Sequence, residues 1–201
     1  GAAVARPAGR PEVAVAADPP RQQTLVLSMP ARSPTPHNMN PFAPDNALAG
    51  HASIGCADLL WYLNTDAGRI DWWLATGFAY DDDFRAMTVE LRHGVRWSDG
   101  RAFDADDVVF TMELVRDNPS LPHGSALAAV ERIERIDAYT VRLVFRGPQP
   151  RFHLGIQAAG GLPMLAEHVW RGRDPIAFQN WPPVHTGPYR IVSAEADEQL
   201  F

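Results

Sequence analysis

"LRHGVRWSDGRAFDADDVVFTM", residues 91–112, holds a strand end, two turn signals and a helix start in one run. Leu91-Arg92 closes the alternating segment "FRAMTVELR" (84–92), in which Met87, Val89 and Leu91 point one way and Thr88, Glu90 and Arg92 the other. A period of two is the pattern of a half-exposed strand. The chain turns at His93-Gly94, runs extended through "VRW" and turns again at Asp99-Gly100. Glycine tolerates the positive φ that such tight turns need. Asp104 then stands where it can cap the free amides of a helix over about residues 105–116. Asp106 and Asp107 fall in the first turn, where the helix dipole favours negative charge. Val108, Met112 and Val115 form its inward stripe. A metal site built from Asp104, Asp106 and Asp107 is the alternative reading of the same carboxylates.

On the N-terminal side, "QTLVLSM" (23–29) reads as a first buried strand, and "PARSPTPHNMNPFAP" (30–44) as a Pro- and Asn-rich loop. Leu48, Ala52, Cys56, Leu59, Leu60 and Leu63 recur at spacings of three and four, which predicts a helix over 47–63, followed by a turn at "NTDAGR" (64–69). On the C-terminal side, "VERIERIDAYTVRLVF" (130–145) reads as two strands joined near Asp137, with Tyr139, Val141, Leu143 and Phe145 on one face. "PRFHLGIQAA" and "PMLAEHVWRG" are helix candidates with Pro near their starts. "TGPYRIVSAE" (186–195) is a turn entering a strand near 188–193. These elements imply an α/β (mixed α+β) fold class, with a largely antiparallel or mixed sheet.

Residues 1–22, rich in Ala, Pro, Gly and Arg and free of aromatics, read as a flexible tail, and 23–201 as the folded part. The tail has neither an initiator Met nor a continuous apolar core; it fits the segment left after removal of a signal peptide. No apolar run approaches the roughly 18 residues of a membrane span. A net charge of −6 argues against a nucleic-acid partner. All 18 basic residues are arginine, a mark of a GC-rich genome rather than of a site. Cys56 is the single cysteine and sits in an apolar segment, so an inert buried thiol is expected over a reactive one.

The stretch 91–112 resembles the signature region of the family-5 extracellular solute-binding proteins, the peptide-, nickel- and oligosaccharide-binding subunits of ABC importers. The matching residues are Leu91-Arg92, Gly94, Trp97, Asp99-Gly100 and Ala105-Asp106-Asp107-Val108. "NMNPFAP" is similar to the family's N-P loop, Asp137, Thr140 and Val141 to its D-x-x-T-V turn, and "PPVHTGPYRIV" to its V-G-T-G-P-Y segment. His185 departs from the pattern, which usually has Gly there. The resemblance implies a periplasmic-binding-protein-like type II fold. The chain would hold the N-terminal part of lobe I with its extra subdomain, the second lobe being absent.

In peptide-binding members, backbone groups before the helix that comes after the N-P loop hold the ligand main chain. By position these are Asn46, Ala47, Leu48, Ala49, Gly50 and His51. Gly50 permits close backbone approach, and a helix N-terminus offers free amides. Phe110 stands where some members place an aromatic at the cleft, although a helix aromatic is also ordinary core. The tryptophans Trp61, Trp72, Trp73, Trp97 and Trp181 could stack on a sugar or side chain, or simply pack. Of the adjacent pair Trp72 and Trp73, both cannot easily be buried on one face. No H-E-x-x-H, G-x-S-x-G or phosphate loop occurs, so neither an enzyme, a cofactor nor a preformed metal site is expected. His37 and His51 keep a metal-chelate ligand open.

The expected function is an extracytoplasmic or periplasmic solute-binding protein that delivers oligopeptides, oligosaccharides or metal chelates to an ABC transporter permease. Contact with the membrane would come only through the transporter or a removed anchor. The alternative is a ligand-sensing domain of the same fold in a regulatory protein. Because a closed two-lobe site surrounds its ligand, the 201 residues alone are expected to bind solute weakly.

Overall fold

The computed structural model describes residues 35, 37–44, 56–189 and 191. Among the described strands a hairpin comes first, formed by β1 (Trp61–Asn64) and β2 (Arg69–Trp72). Asn64 fastens its turn, accepting from the Ala67 amide at 3.0 Å and donating to Asp71 at 2.9 Å. Next come β3 (Ala75–Tyr80), β4 (Ala86–Leu91), β5 (Val130–Arg135) and β6 (Thr140–Phe145). They form one antiparallel sheet in the order β3-β4-β6-β5.

The register across the two central strands pairs Met87 with Leu143 and Val89 with Val141. Directly opposite residues share a face, so these four side chains form one apolar surface, and all four are buried. The helix α1 (Ala105–Asp117) contributes Val108, Met112 and Val115 to the same core. Burial of such side chains stabilises by roughly 1.5–3 kcal/mol each. Asp104 caps α1 as expected, accepting from the Asp106 amide at 2.9 Å. The Asp107 carboxylate reaches back to the Asp104 amide at 3.2 Å and completes a capping box with Asp in the usual Glu position. The edge strand β5 reads Val-Glu-Arg-Ile-Glu-Arg, and charge on an edge discourages pairing with another chain.

The other helices that lie wholly within the described residues are single turns: α2 (Gly124–Leu127), α3 (Phe152–Gly155), a 3-10 turn (Ala158–Gly160) and α4 (Glu167–Trp170). The helix candidates at "PRFHLGIQAA" and "PMLAEHVWRG" thus shrink to α3 with the 3-10 turn, and to α4. Gly161 and Gly172, with φ of +88° and +76°, come after them in a conformation that cannot continue a helix.

Two further expectations change. The proposed helix over 47–63 does not reach its end, because Trp61–Asn64 is strand and residues 57–60 are not helical. Leu60 and Trp61 are both buried, so the hairpin is apolar on two sides and imitates helical spacing. Residues 47–55 of that helix lie outside the described residues, as do the strand proposed at 23–29 and the tail at 1–22. For the strand near 188–193, Pro188, Tyr189 and Ile191 are described and none is in a strand; the others are not described.

Candidate functional site

Asn40, in the Asn-Pro loop, is fully buried. Its Nδ2 donates to the carbonyls of Phe178 at 2.7 Å, Pro175 at 2.9 Å and Ile176 at 3.1 Å. Its Oδ1 accepts from the Phe42 amide at 2.8 Å. The Met39 amide donates to the Gln179 carbonyl at 2.8 Å, and Asn180 Nδ2 returns a bond to the Met39 carbonyl at 3.4 Å. The receiving turn is set by Asp174, which accepts from the amides of Ile176 and Ala177 at 2.8 Å each. Those amides hold its carboxyl below the usual range. The Phe42, Trp170 and Phe178 rings pack edge to face beneath this joint.

Beside the joint is a small cavity of about 10 Å³, lined by Met39, Cys56, Met164, Trp170, Asn180 and Val184 among others. Asn180 Oδ1 is buried and without a hydrogen-bond partner. Asp58, next to the cavity residues Cys56 and Ala57, is 7% exposed and accepts from the Thr186 hydroxyl at 2.6 Å. Its carbonyl takes the Met164 amide at 3.0 Å. Burial, with the Asp58 charge adding, pushes the Cys56 thiol up to about 11, so it is protonated and unreactive at neutral pH.

The framework holds this wall from behind. The Asp107 carboxylate accepts from Trp97 Nε1 and from the Glu167 amide, both at 2.9 Å. One turn on, the Thr111 hydroxyl accepts from the Leu165 amide at 3.0 Å. Desolvation raises the Asp107 carboxyl above its ordinary range despite these donors. Asp106 pairs with Arg135 at 2.8 Å. Asp104, Asp106 and Asp107, the three carboxylates of the alternative metal reading, are therefore occupied by amides, an indole and a guanidinium. His185 is buried, and its backbone exchanges bonds with Ser98, tying the "VHTGPY" segment to the Asp99-Gly100 turn.

A second, open depression of about 470 Å³ lies at the end of the sheet, lined by residues including Thr76, Glu90, His93, Asp137, Tyr139 and Thr140. The His93 ring stacks on Tyr139 at 3.9 Å. The Tyr139 amide and Thr140 hold the Asp137 carboxyl low.

Of the expected ligand residues, Asn46 to His51 lie outside the described residues. Phe110 is half-buried on α1 with the Arg171 guanidinium 5.5 Å from its ring centre, and it lines neither depression. Trp61 and Trp97 are buried, Trp72 and Trp181 partly so, and Trp73 is 46% exposed. His37 packs edge to face on Trp181 at 4.6 Å. Among the described residues no group of three or more His, Cys, Asp or Glu side chains could hold a metal ion. Asn40 was visible in the sequence as part of a motif, without its clamping role. Asp58 and Asn180 carry no local signal, because their partners lie more than 120 residues away.

Comparison with known proteins places this architecture. The family described as bacterial extracellular solute-binding proteins, family 5 Middle, matches residues 69–200. The chain belongs to that family. Among solved structures it is similar to the periplasmic oligopeptide-binding protein of an oligopeptide ABC transporter from Thermotoga maritima, solved with mannohexaose bound. The two are 32% identical with a TM-score of 0.72, covering 85% of this chain and 31% of that one. The oligopeptide-binding protein AppA of Bacillus subtilis, solved with a nonapeptide, shares the fold at 19% identity and a TM-score of 0.65, covering 79% of this chain and 34% of that one. A periplasmic alpha-galactoside-binding protein of Rhizobium meliloti is 35% identical over 107 residues, which is 51% of this chain and 15% of that protein. The chain spans 20% of the length of several other curated relatives. The mixed α/β architecture is thus part of a periplasmic-binding-protein-like type II fold.

Proposed function

We propose that the protein is the extracytoplasmic solute-binding subunit of an ABC importer, receiving an oligopeptide or a similar small solute and passing it to a permease. The observation that carries this reading is the likeness to the Thermotoga periplasmic oligopeptide-binding protein over 85% of this chain, at 32% identity. The residues support it in kind. They supply turns, caps and cross-links that hold loops in place, and solute binders work by closing lobes around a ligand rather than by chemistry. Among the described residues no helix is long and apolar enough to cross a membrane. In this reading Asn46–His51 and Phe110 face the solute. The support for the loop is its position, four residues beyond Phe42, whose amide the Asn40 side chain holds. The sensor alternative gains no support from these relatives.

The test is uptake. Deleting the gene and supplying labelled tripeptide, alpha-galactoside or nickel-histidine should abolish import of one class, with recovery on complementation. Unchanged import of every class would contradict the proposal.

A further inference from the structure

Three sulfur-bearing residues meet at the small cavity beside the Asn40 joint. Met39, Cys56 and Met164 all border it, which brings two thioethers and the single thiol of the 201 residues to one space of about 10 Å³. Met39 is fully buried and packs against Cys56, and Met164 is 5% exposed. Asn180 borders the same space and is 7% exposed. Its Nδ2 donates to the Met39 carbonyl at 3.4 Å, which orients the amide, and its Oδ1 is buried without a hydrogen-bond partner. A buried carbonyl without a donor is costly to the fold, and an atom left in that state calls for an explanation, a bound ion among them.

The donor chemistry selects the class of group. Among the described residues no carboxylate and no imidazole borders the cavity, so the side-chain donors that hard and borderline cations prefer are not provided. Thioether and thiolate sulfur favours soft metal ions, Cu(I) first among them. Charge agrees: one thiolate balances one positive charge, so a monovalent ion leaves a neutral complex, whereas a divalent one would bury a net charge among apolar walls. Size agrees too, since about 10 Å³ admits a single atom or a water and excludes a chelate. Only the Asn180 amide and the Trp170 indole among the lining side chains carry nitrogen or oxygen, which is thin provision for a buried water that takes about three hydrogen bonds. Cys56, Ala57 and Val184 are partly exposed and give an ion its way in. Loading exchanges the thiol proton: the S–H bond breaks, a sulfur–metal bond forms and the proton leaves to solvent.

We infer that this cavity is a binding site for a soft monovalent metal ion of the Cu(I) class, held by the sulfurs of Met39, Cys56 and Met164 with Asn180 Oδ1 as a weak fourth contact. The inference goes beyond the solute-binding reading and does not depend on it. The ion sits inside the joint that ties the Asn-Pro loop to the Asn180 segment, so loading stiffens that joint.

Two measurements on the full gene product test it. The probe is Ag(I), added as the nitrate in chloride-free buffer; it shares the charge and softness of Cu(I) and is stable in air. In the first, Ag(I) is added in equimolar amount to the unaltered protein and its neighbours are read by X-ray absorption. Several sulfur scatterers around each ion are expected. A single sulfur, or oxygen and nitrogen alone, overturns the inference, and this readout needs no variant. In the second, Ag(I), nickel and zinc nitrates are titrated by calorimetry, with Tm followed in parallel. Ag(I) should bind saturably and raise Tm. Met39→Leu and Met164→Leu, which nearly conserve volume, should each weaken its binding by about tenfold or more, and Cys56→Ser by about 100-fold or more. Methionine variants that bind Ag(I) as tightly as the parent would reduce the site to a lone thiol and overturn the inference. So would nickel or zinc binding that matches Ag(I) and is lost in Cys56→Ser. None of these outcomes bears on whether the protein serves solute import.

Discussion

The indole N–H of Trp97 donates to the Asp107 carboxylate at 2.9 Å, joining the Asp99-Gly100 turn to the first turn of α1. The other oxygen of that carboxylate accepts from the Glu167 amide. One buried side chain thus fixes three segments: the turn, the helix and the wall of the small cavity. This is what the stretch 91–112 supplies to the fold.

Replacing Asp107 with Ala should be far more damaging than replacing Asp104. The Asp107 change leaves an indole and two amides without an acceptor, a loss of about 3 kcal/mol or more. Asp104→Ala removes one cap, about 1 kcal/mol. Chemical denaturation of both variants checks the ranking, and equal losses would count against it.

The same residue predicts a pH effect. The folded-state pKa of Asp107 is raised above the ordinary 3.8, chiefly by desolvation. Its titration therefore favours the folded state below 3.8, and that contribution is lost as pH rises through the folded value. Asp81, Asp137 and Asp174 are shifted the other way, mainly by backbone amides, and favour the folded state above 3.8. Asp137 and Asp174 are exposed and Asp81 is half-buried at the sheet margin, so each contributes modestly. Asp107→Asn should remove the opposing term. Just above pH 3.8 its stability should climb more steeply with pH than the parent's, as read by Tm across pH 3 to 6. Parallel curves would contradict the assignment.

Cys56 offers a direct readout of burial. Its thiol lies at about 11, against 9.0 for an unperturbed cysteine, so at pH 8 the thiolate fraction is about 100-fold smaller. Reaction with a disulfide reagent should be slower than that of a free thiol by at least that factor. A rate equal to that of free cysteine would place Cys56 in solvent.

Asn40→Ala should loosen the joint between the Asn-Pro loop and residues 175–178. Three carbonyls lose their donor and one amide its acceptor, a cost of about 2–4 kcal/mol. Limited proteolysis should then cut near one of these two segments first, with the β4–β6 core resistant. Unaltered cleavage kinetics would deny the clamp.

How much of the fold was legible depends on where the information sits. β4, the β5–β6 pair and the capped α1 were readable because each has one wet face and one dry face, which imposes a clean period on the residues. β1 and β2 were not: Trp61 is buried and Trp72 partly so, directly opposite each other, and apolar residues on both sides hide the alternation. β3 carries a register shift between Ala75 and Gly77, which breaks its period. The site was less legible than the fold. Asn40, Asp58 and Asn180 take their meaning from partners more than 120 residues away, and no local pattern encodes such a pairing.

Calorimetry on two proteins decides whether these residues form part of the frame of a solute-binding site. Tripeptides, alpha-galactosides and nickel-histidine would be titrated into the full gene product and into residues 1–201 alone, with light scattering to confirm that both are monomeric. Saturable binding of one class by the full product is expected. Binding by the 201-residue chain should be at least about 100-fold weaker, because a ligand held on one side buries too little of its surface. Equal affinity in the two proteins would refute the frame and make the small cavity and the open depression a self-sufficient site.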